Sequence, residues 1–522
     1  MRGGRLKARF SPGNKYVRPH PGLLPRGEGE RFDRRWCRRR FQWFGHGFAD
    51  RKRRRRRALP AHSEWWSGRQ DAARYGRRDA RPTLNCSMKN LGILWAQYGP
   101  YHLARAAALK RLAGPVRVHA LELANQTSTY GWQRAATGDL ITLCPGAVAD
   151  RLSFGRVFQR CRRMFAELKL EVCILPSYAP QQPLAALLAA KSLGLRTVMM
   201  NESHAGTARA RGIGAQIKRR LVGLFDAGLV GGQPQKRYFT ALGLAPEKIF
   251  TGYDAVDNDY FARRAEEIRG RAAAARGEYD LPEHYFLSLG RFVGKKNLPA
   301  LIHAYRKFLG AGQNSQTHLV LVGSGEEEAK LRALCQELNL PVYDKAKTKA
   351  EGGNRESAFA ALRRDKSGKV APGVHFYGFR QIEENPVFYA LADAFILPSS
   401  REEWGLVVNE AMACGLPVVV SETAGCAEDL LPPGRLPGPR SLTPAVSRQL
   451  TRLAGRLRPN GLVFNPHSAN AEAALADALT LLAGDAGLRQ QMGATSRERV
   501  RQFSCEEFAR NALLAAQAAL GN

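Results

Sequence analysis

Short apolar runs alternate with longer amphipathic segments along the chain from about residue 88 to its end. The runs are rich in Val, Ile and Leu, which is typical of strands buried on both faces of a parallel sheet. Helical periods separate them, and this alternation indicates a doubly wound α/β architecture. In the first half, the predicted strands are 91–96, 116–121, 172–175, 197–200, 228–230 and 249–252, and the predicted helices are 102–112, 154–168 and 183–193.

The alternation restarts after Asp259, which predicts two α/β domains joined near residues 253–262. We expect the first domain to span 88–256 and the second 257–502. Two polar insertions, 343–371 and 432–458, interrupt the second domain as surface loops or lids without a recognisable motif. In this half, the predicted strands are 285–289, 318–322, 374–377, 394–397 and 417–421, and the predicted helices are 298–309, 326–338, 407–413, 476–482 and 508–520. A capping box, Ser504 with Glu507 three residues on, predicts the start of the last helix.

Residues 1–87 lack any helical or strand period and are rich in Arg, Gly and Pro. They hold 25 Lys/Arg against 7 Asp/Glu, so about half of the formal charge of +34 lies in this segment. We expect a disordered basic extension. Two other hypotheses stay open: a start assigned too early, because Met88 directly precedes a strand, or an arm that binds nucleic acid or an anionic membrane.

The remaining composition narrows the class of protein. The chain of 522 residues is long enough for two domains, and 44% of its residues are hydrophobic. Its nine cysteines show no CxxC spacing, which favours a reducing compartment over a disulfide framework or a zinc site. No apolar stretch has the length of a membrane helix. We therefore expect a cytoplasmic protein, with peripheral contact at the inner face of the membrane.

The most specific motif runs from Pro398 to Pro417. It predicts a strand end, a loop and then a helix whose first amides, at Gly405, Leu406 and Val407, lack intrahelical partners. Such amides, together with the helix dipole, bind anions. The carboxylates of Glu402 and Glu410 flank this predicted phosphate site, and they fit it best if they bind hydroxyl groups of a ribose and a sugar.

A second motif follows the strand at 285–289, where open α/β sheets bind ligands. Arg291 and Lys296 are predicted to converge on a diphosphate, the first as a planar fork and the second as a point charge. Lys295 is the competing lysine in this motif.

Weaker signals lie at other strand ends. Gly323 and Gly325 would let a nucleotide base approach the backbone, and Phe379 would flank the same base. Gly99 permits close approach after the first strand. His102 is either a catalytic residue facing the cleft or merely a cap of its helix. Glu202 and His204 are further candidates, for the acceptor side.

Three segments closely resemble the retaining family 4 glycosyltransferases (glycosyl transferases group 1), which have the GT-B fold. They are Gly290-Arg291 with Lys296, the stretch Glu402 to Pro417, and Ala424-Gly425-Cys-Ala-Glu-Asp. The resemblance covers roughly 88–522. It implies two facing Rossmann-like domains with parallel sheets, and a last helix, 503–520, that crosses back to the first domain.

The resemblance also implies roles. Arg291 and Lys296 would hold the diphosphate of a UDP-, GDP- or ADP-sugar, and Leu406 and Val407 would offer amides to its phosphates. Glu402 would contact the donor sugar and Glu410 the ribose. No cofactor or metal is implied. The acceptor would be a glycan, a lipid-linked sugar or a small molecule, as in polysaccharide biosynthesis. The chain departs from the family where Tyr98 precedes Gly99 in place of a second glycine, and where Tyr178 lies near a frequent histidine position.

The sequence therefore predicts a metal-independent hexosyltransferase that retains the anomeric configuration, with the leaving phosphate helping to take the acceptor proton. A sugar-nucleotide epimerase or another GT-B enzyme is the alternative hypothesis. A nucleic-acid-binding protein rests on residues 1–87 alone, and we expect no nucleic-acid partner for the rest of the chain.

Overall fold

A computed structural model describes residues 88–128, 139–208, 212–311, 316–345, 370–431 and 460–521. The predicted basic extension, 1–87, lies outside these residues, as do nearly all of the two predicted insertions. The described residues form two separate seven-stranded sheets, and every strand pair in both sheets is parallel. This arrangement confirms the predicted α/β class with two parallel sheets.

The first sheet has the strand order β3-β2-β1-β4-β5-β6-β7. Its strands are β1 (Asn90–Trp95), β2 (Arg117–Glu122), β3 (Leu140–Thr142), β4 (Val172–Pro176), β5 (Arg196–Asn201), β6 (Ala227–Val230) and β7 (Ile249–Phe250). The helices of this half are α1 (Pro100–Leu112), α2 (Phe154–Glu167), α3 (Gln181–Ser192), α4 (Ile213–Val222) and α5 (Gln233–Ala241).

The second sheet has the order β10-β11-β9-β8-β12-β13-β14. Its strands are β8 (Tyr285–Leu289), β9 (His318–Val322), β10 (Val342–Asp344), β11 (Val374–Phe376), β12 (Ala394–Leu397), β13 (Val418–Ser421) and β14 (Gly461–Phe464). Its described helices are α6 (Asn258–Gly270), α7 (Ala272–Tyr279), α8 (Leu298–Gly310), α9 (Glu328–Glu337), α10 (Asn385–Ala390), α11 (Leu406–Ala413), α12 (Ala427–Leu430), α13 (Ala471–Gly484) and α14 (Ala486–Val500).

The central strands are buried on both faces, which explains their continuous apolar sequence. All five residues of β9 and all four of β12 are buried, and two apolar cores lie on opposite sides of the second sheet. Helices cover both faces, as parallel sheets require. Burial of each such Val, Leu, Ile or Phe side chain contributes about 1.5–3 kcal/mol.

The last helix, α15 (Cys505–Leu520), packs against the first sheet although the chain reaches it from the second. Phe508 and Leu513 are fully buried in one core with Leu91 and Ile93 of β1. The helix starts where predicted, because the Ser504 hydroxyl accepts a hydrogen bond from the backbone N–H of Glu507 at 3.2 Å. The two halves are thus connected by two chain segments.

Candidate active site

In each sheet there is one point where the connections that follow two adjacent strands run in opposite directions along the sheet. In the second sheet, β8 is followed in the chain by β9 on one side and adjoins β12 on the other, so the crevice lies between β8 and β12. In the first sheet the same reasoning places it between β1 and β4. Ligands of open α/β sheets bind in such crevices at the carboxyl ends of the strands.

Ion pairs and hydrogen bonds join the loops that follow β8 and β12 at this crevice. The Lys296 ammonium group pairs with the Glu402 carboxylate, whose Oε2 also accepts from the Ser399 hydroxyl at 3.1 Å. Beside it, Lys295 Nζ lies 2.6 Å from Glu403 Oε2. The side-chain amide of Asn297 donates a hydrogen bond to the Pro398 carbonyl oxygen at 3.2 Å. The structure therefore brings together two residues, Lys296 and Glu402, that the sequence predicted to act on one donor.

Helix α11 begins at Leu406, four residues after Glu402. Gly405 is its N-cap at φ 108°, a left-handed conformation that favours glycine. A Cβ at Gly405 would lie only 2.9 Å from the Leu397 side chain, so the position is also sterically closed. The amides of Leu406 and Val407 occupy the first turn, where helix geometry supplies no acceptor. Amides of this kind are suited to an anion, and binding of a phosphate by these two stays a prediction.

Arg291 is exposed directly after β8. Within the described part of the chain, its guanidinium has no ion pair and no side-chain hydrogen bond. It therefore differs from Lys296, which already has an acidic partner. A planar cation in this position suits a phosphate group.

Glu410 lies one turn into α11 and is fully buried. Its Oε1 accepts a hydrogen bond from the Tyr101 hydroxyl at 2.6 Å, and Tyr101 comes from α1 of the first half. Burial raises the pKa of Glu410 to about 7, while the hydrogen bond from Tyr101 acts in the opposite direction. The structure thus gives the predicted ribose ligand a partner from across the cleft that the sequence did not reveal.

Further contacts join the carboxyl edges of the two sheets. His204 Nε2 lies 2.9 Å from the Glu402 carbonyl oxygen, and the Gln235 side chain donates to the Glu403 carbonyl at 2.9 Å. Trp404 is 1% exposed and donates its indole N–H to Asn409 at 2.9 Å. His204, predicted for the acceptor side, thus contacts the backbone of the loop after β12, and a role toward an acceptor stays a prediction. The carboxyl edges of the two sheets therefore face each other across one cleft.

His102 is placed as the cap of α1. The Gly99 backbone N–H donates to His102 Nδ1 at 3.0 Å, and the imidazole lies 4.8 Å from the Trp95 ring. Burial and the neighbouring Arg105 lower the pKa of His102 to about 3, against a hydrogen bond with the Gln97 backbone. The ring is therefore neutral at physiological pH. This geometry supports the capping role, and a catalytic role for His102 stays a prediction.

Gly323 and Gly325 are required by the packing of the chain itself. A Cβ at Gly323 would lie 1.9 Å from the Gly290 carbonyl oxygen, and a Cβ at Gly325 would lie 2.3 Å from that of Phe292. The loops after β8 and β9 can approach this closely only because both residues lack a side chain. Phe379 is 49% exposed after β11. Contact of these three residues with a nucleotide base stays a prediction.

Asp254, which is fully buried, and Glu202 are neighbouring carboxyl groups. Burial raises the pKa of both; Glu202 raises that of Asp254 further, and Glu403 and Glu402 raise that of Glu202. Arg105 opposes this effect, with its Nη2 3.9 Å from Asp254 and its Nε donating to the Ala255 carbonyl at 2.9 Å. The pair joins β5 to the segment between the two halves. Asp254 and Arg105 carry no sequence signal, because each lies in an ordinary apolar context.

The fold is the two-domain GT-B fold, and comparison with known proteins relates the second half of the chain to one family. Residues 274–343 and 345–483 each match a family model described as glycosyl transferases group 1. The second half of the chain is thus similar to this family.

Three curated relatives match parts of the chain. They are an uncharacterized glycosyltransferase of Methanocaldococcus jannaschii (31% identical over 28% of this chain and 29% of the relative), an O-antigen chain mannosyltransferase of Escherichia coli (28%, over 35% and 39%), and a D-inositol 3-phosphate glycosyltransferase of Kribbella flavida (32%, over 24% and 24%). The chain thus spans less than two fifths of the length of each.

Solved structures extend the similarity over both sheets. A sucrose-phosphate synthase from Thermosynechococcus elongatus superposes with a TM-score of 0.56 at 18% identity, over 83% of this chain and all of that one. The Anabaena protein HepE, in complex with UDP and glucose, superposes with a TM-score of 0.52 at 15% identity, over 81% of this chain and 98% of that one. At these identities the similarity establishes the fold. Among the described residues, no helix is long and apolar enough to cross a bilayer.

Proposed function

We propose that this protein transfers a sugar from a nucleotide-diphosphate sugar to a hydroxyl group of an acceptor. The observation that carries the proposal is the pairing of Lys296 with Glu402 at the crevice between β8 and β12. This pair adjoins the free first-turn amides of α11 and the exposed guanidinium of Arg291. One small region thus offers two cations, aligned amides and a carboxylate, which are the groups that a diphosphate and a sugar hydroxyl need.

The chemistry follows from these charges. When the glycosidic bond breaks, negative charge grows on the departing diphosphate. Arg291, Lys296 and the amides of Leu406 and Val407 stabilise that charge more strongly in the transition state than in the bound donor, which accelerates the reaction. In this proposal, they do so without a metal ion. Lys296 exchanges its carboxylate partner for a phosphate, and Glu402 becomes available to the hydroxyls of the donor sugar.

We further propose retention of the anomeric configuration. The acceptor would attack from the face that the phosphate leaves, and the departing phosphate would take the acceptor proton. Retention predicts that slow hydrolysis of the donor releases sugar in the donor's own anomeric form. Proton NMR recorded within the first minutes reads the anomer directly, and release of the opposite anomer would contradict same-face attack.

Two observations support a nucleotide-diphosphate sugar as the donor. Glu410, the proposed ribose ligand, is held by Tyr101 within the same cleft. The similar Anabaena protein HepE has been solved with UDP and with UDP-glucose. The base is open among uracil, guanine and adenine. For the acceptor, relatives named as mannosyltransferases of an O-antigen chain support a glycan or a lipid-linked sugar.

The surface of α4 supports an acceptor at a membrane. Ile213 and Ile217 are 81% and 54% exposed, and a spacing of four residues puts them on one helix face. Arg219 and Arg220 are exposed on the same short helix. Exposed isoleucines beside basic residues fit an anionic lipid surface, where each cation contributes about 1 kcal/mol. We propose that α4 rests on the inner face of the cell membrane.

Donor binding is tested by thermal shift with UDP-, GDP- and ADP-sugars. A ligand present at 100 times its dissociation constant stabilises the folded protein by about 2.7 kcal/mol. We expect one nucleotide class to raise the melting temperature of the wild type and of Lys307→Ala, a surface variant whose lysine pairs with Glu472. The shift should be lost in Lys296→Ala. An equal shift in both variants would contradict the assignment of the donor site.

A further inference from the structure

A cavity lies away from the candidate active site. It has a volume of about 430 Å³, is partly open to solvent and is lined by the second half of the chain alone. Its walls come from the end of α6, the turn between α10 and β12, the turn after α11, and one face of α14. Because Asp393 and Pro417 precede β12 and β13, the cavity lies at the amino-terminal edge of the second sheet, opposite the carboxyl edge that holds Lys296.

Three arginines line this cavity: Arg269, Arg489 and Arg497. Arg489 is neutralised, since its Nη2 lies 3.3 Å from Asp393, whose other contact is His284 Nδ1 at 3.2 Å. Arg497 has a weak partner, because its Nη1 lies 3.5 Å from Glu266, a carboxylate that is 66% exposed. The acidic groups of this region thus offset the charge of Arg489 fully and that of Arg497 only in part.

Arg269 is the cation without an acidic partner. Its Nη2 donates to the Cys414 carbonyl at the end of α11 at 2.5 Å, while its Nη1 is buried without a hydrogen-bond acceptor among the described residues. A buried guanidinium N–H without an acceptor is unfavourable by more than an ordinary missing hydrogen bond. Burial, together with the nearby Arg497, lowers the pKa of Arg269.

The small residues around the cavity keep it open. Ala486, Gly493 and Ala494 share the lining face of α14 with the two arginines of that helix. At Gly415, φ is 78° and a Cβ would lie 2.3 Å from Arg497 Nε, so the guanidinium can cross this turn only because the residue is glycine. Small residues thus leave space beside the three arginines of the cavity.

We propose that this cavity is a binding site for a small phosphorylated molecule, separate from the donor site. A phosphate dianion would give Arg497 a second partner and would balance the charge of Arg269, and guanidinium forks match phosphate oxygens in geometry. The volume fits a small metabolite. The site lies at the carboxyl end of α11, whose other end carries the amides proposed to hold the donor phosphate.

Calorimetric titration of the full chain with inorganic pyrophosphate tests the proposal. We expect two sites per chain in the wild type, because pyrophosphate also resembles the donor diphosphate. Arg497→Gln and Arg269→Lys should weaken one site about tenfold, the scale of one charge-assisted hydrogen bond. Arg501→Gln is the matched control, since Arg501 is exposed just beyond α14 and does not line the cavity.

The donor-site variant Lys296→Ala separates this proposal from the proposed function. It should remove the other pyrophosphate site and leave the arginine site intact. A single site in the wild type that Lys296→Ala abolishes and Arg497→Gln leaves unchanged would overturn the second site while supporting the first. Two sites that both withstand Lys296→Ala would contradict the donor assignment instead. Circular dichroism of each variant establishes that the fold is retained.

Discussion

Replacing Glu410 by Gln should change how the stability of the protein depends on pH. Glu410 is fully buried, and its pKa is about 7 in the folded chain against a usual value of 4.5. A raised carboxyl pKa means that the folded state favours the protonated form. The stability of the wild type therefore falls as pH rises from about 4.5 to 7, whereas Gln, which is neutral at every pH, has no such loss.

The size of the effect follows from the same shift. Each pKa unit corresponds to 1.36 kcal/mol, so the full effect is about 3 kcal/mol, of which roughly 2.5 kcal/mol falls between pH 5 and pH 8. For a domain of about 250 residues, this difference corresponds to roughly 5–10 °C in melting temperature. We therefore expect the melting temperature of Glu410→Gln, relative to that of the wild type, to rise by this amount between pH 5 and pH 8.

Thermal unfolding followed by circular dichroism at pH 5, 6, 7 and 8 measures this directly. Glu472→Gln serves as the control, because Glu472 is 38% exposed and pairs with Lys307 at the surface. Its melting temperature should follow that of the wild type at each pH. A difference between Glu410→Gln and the wild type that stays constant from pH 5 to pH 8 would refute the burial of a titrating carboxyl group beside Tyr101.

Two further predictions concern the loops after β12 and β13 and the surface of α4. In Gly425→Ala, the new Cβ would lie 1.9 Å from the Glu403 carbonyl oxygen, so we expect at least a tenfold loss of turnover and a destabilisation of about 1–3 kcal/mol. Gly277→Ala, in open space on α7, should leave turnover unchanged and stabilise the protein by up to about 1 kcal/mol. Ile213→Asp should abolish sedimentation with vesicles of phosphatidylglycerol and phosphatidylcholine, whereas Leu514→Asp, at a site 37% exposed on α15, should not. Equal sedimentation of the two aspartate variants would argue against α4 as the membrane contact.

The strands that the sequence predicted accurately are those whose residues face apolar cores on both sides. The bounds of β8, β9 and β12 agree with the prediction to the residue, because a continuous apolar run ends where the chain leaves the sheet. Of the four edge strands, β7 was predicted, whereas β3, β10 and β14 were missed. The three residues of β3 are only partly buried, so their sequence lacks the apolar signal, and β10 takes in residues 343–344, which were expected to belong to the polar insertion.

Helix α4 was missed for a related reason. Its isoleucines face solvent, so the apolar period does not point to a core. Motif spacing, in contrast, anticipated the meeting of Lys296 with Glu402, because the loops after neighbouring parallel strands lie at one edge of a sheet. The contact of Tyr101 with Glu410 spans 309 residues and depends on how the two halves face each other. No local pattern in the sequence encodes that arrangement.

The central claim is that this cleft breaks the bond between a sugar and a nucleoside diphosphate. The most direct measurement is the rate of nucleoside diphosphate release from UDP-, GDP- and ADP-sugars by the wild type, Arg291→Ala, Lys296→Ala and the surface control Lys307→Ala. We predict release from one donor class, a loss of about 10²-fold or more in each of the first two variants, and an unchanged rate in the control. Release that survives loss of both Arg291 and Lys296 would contradict the account.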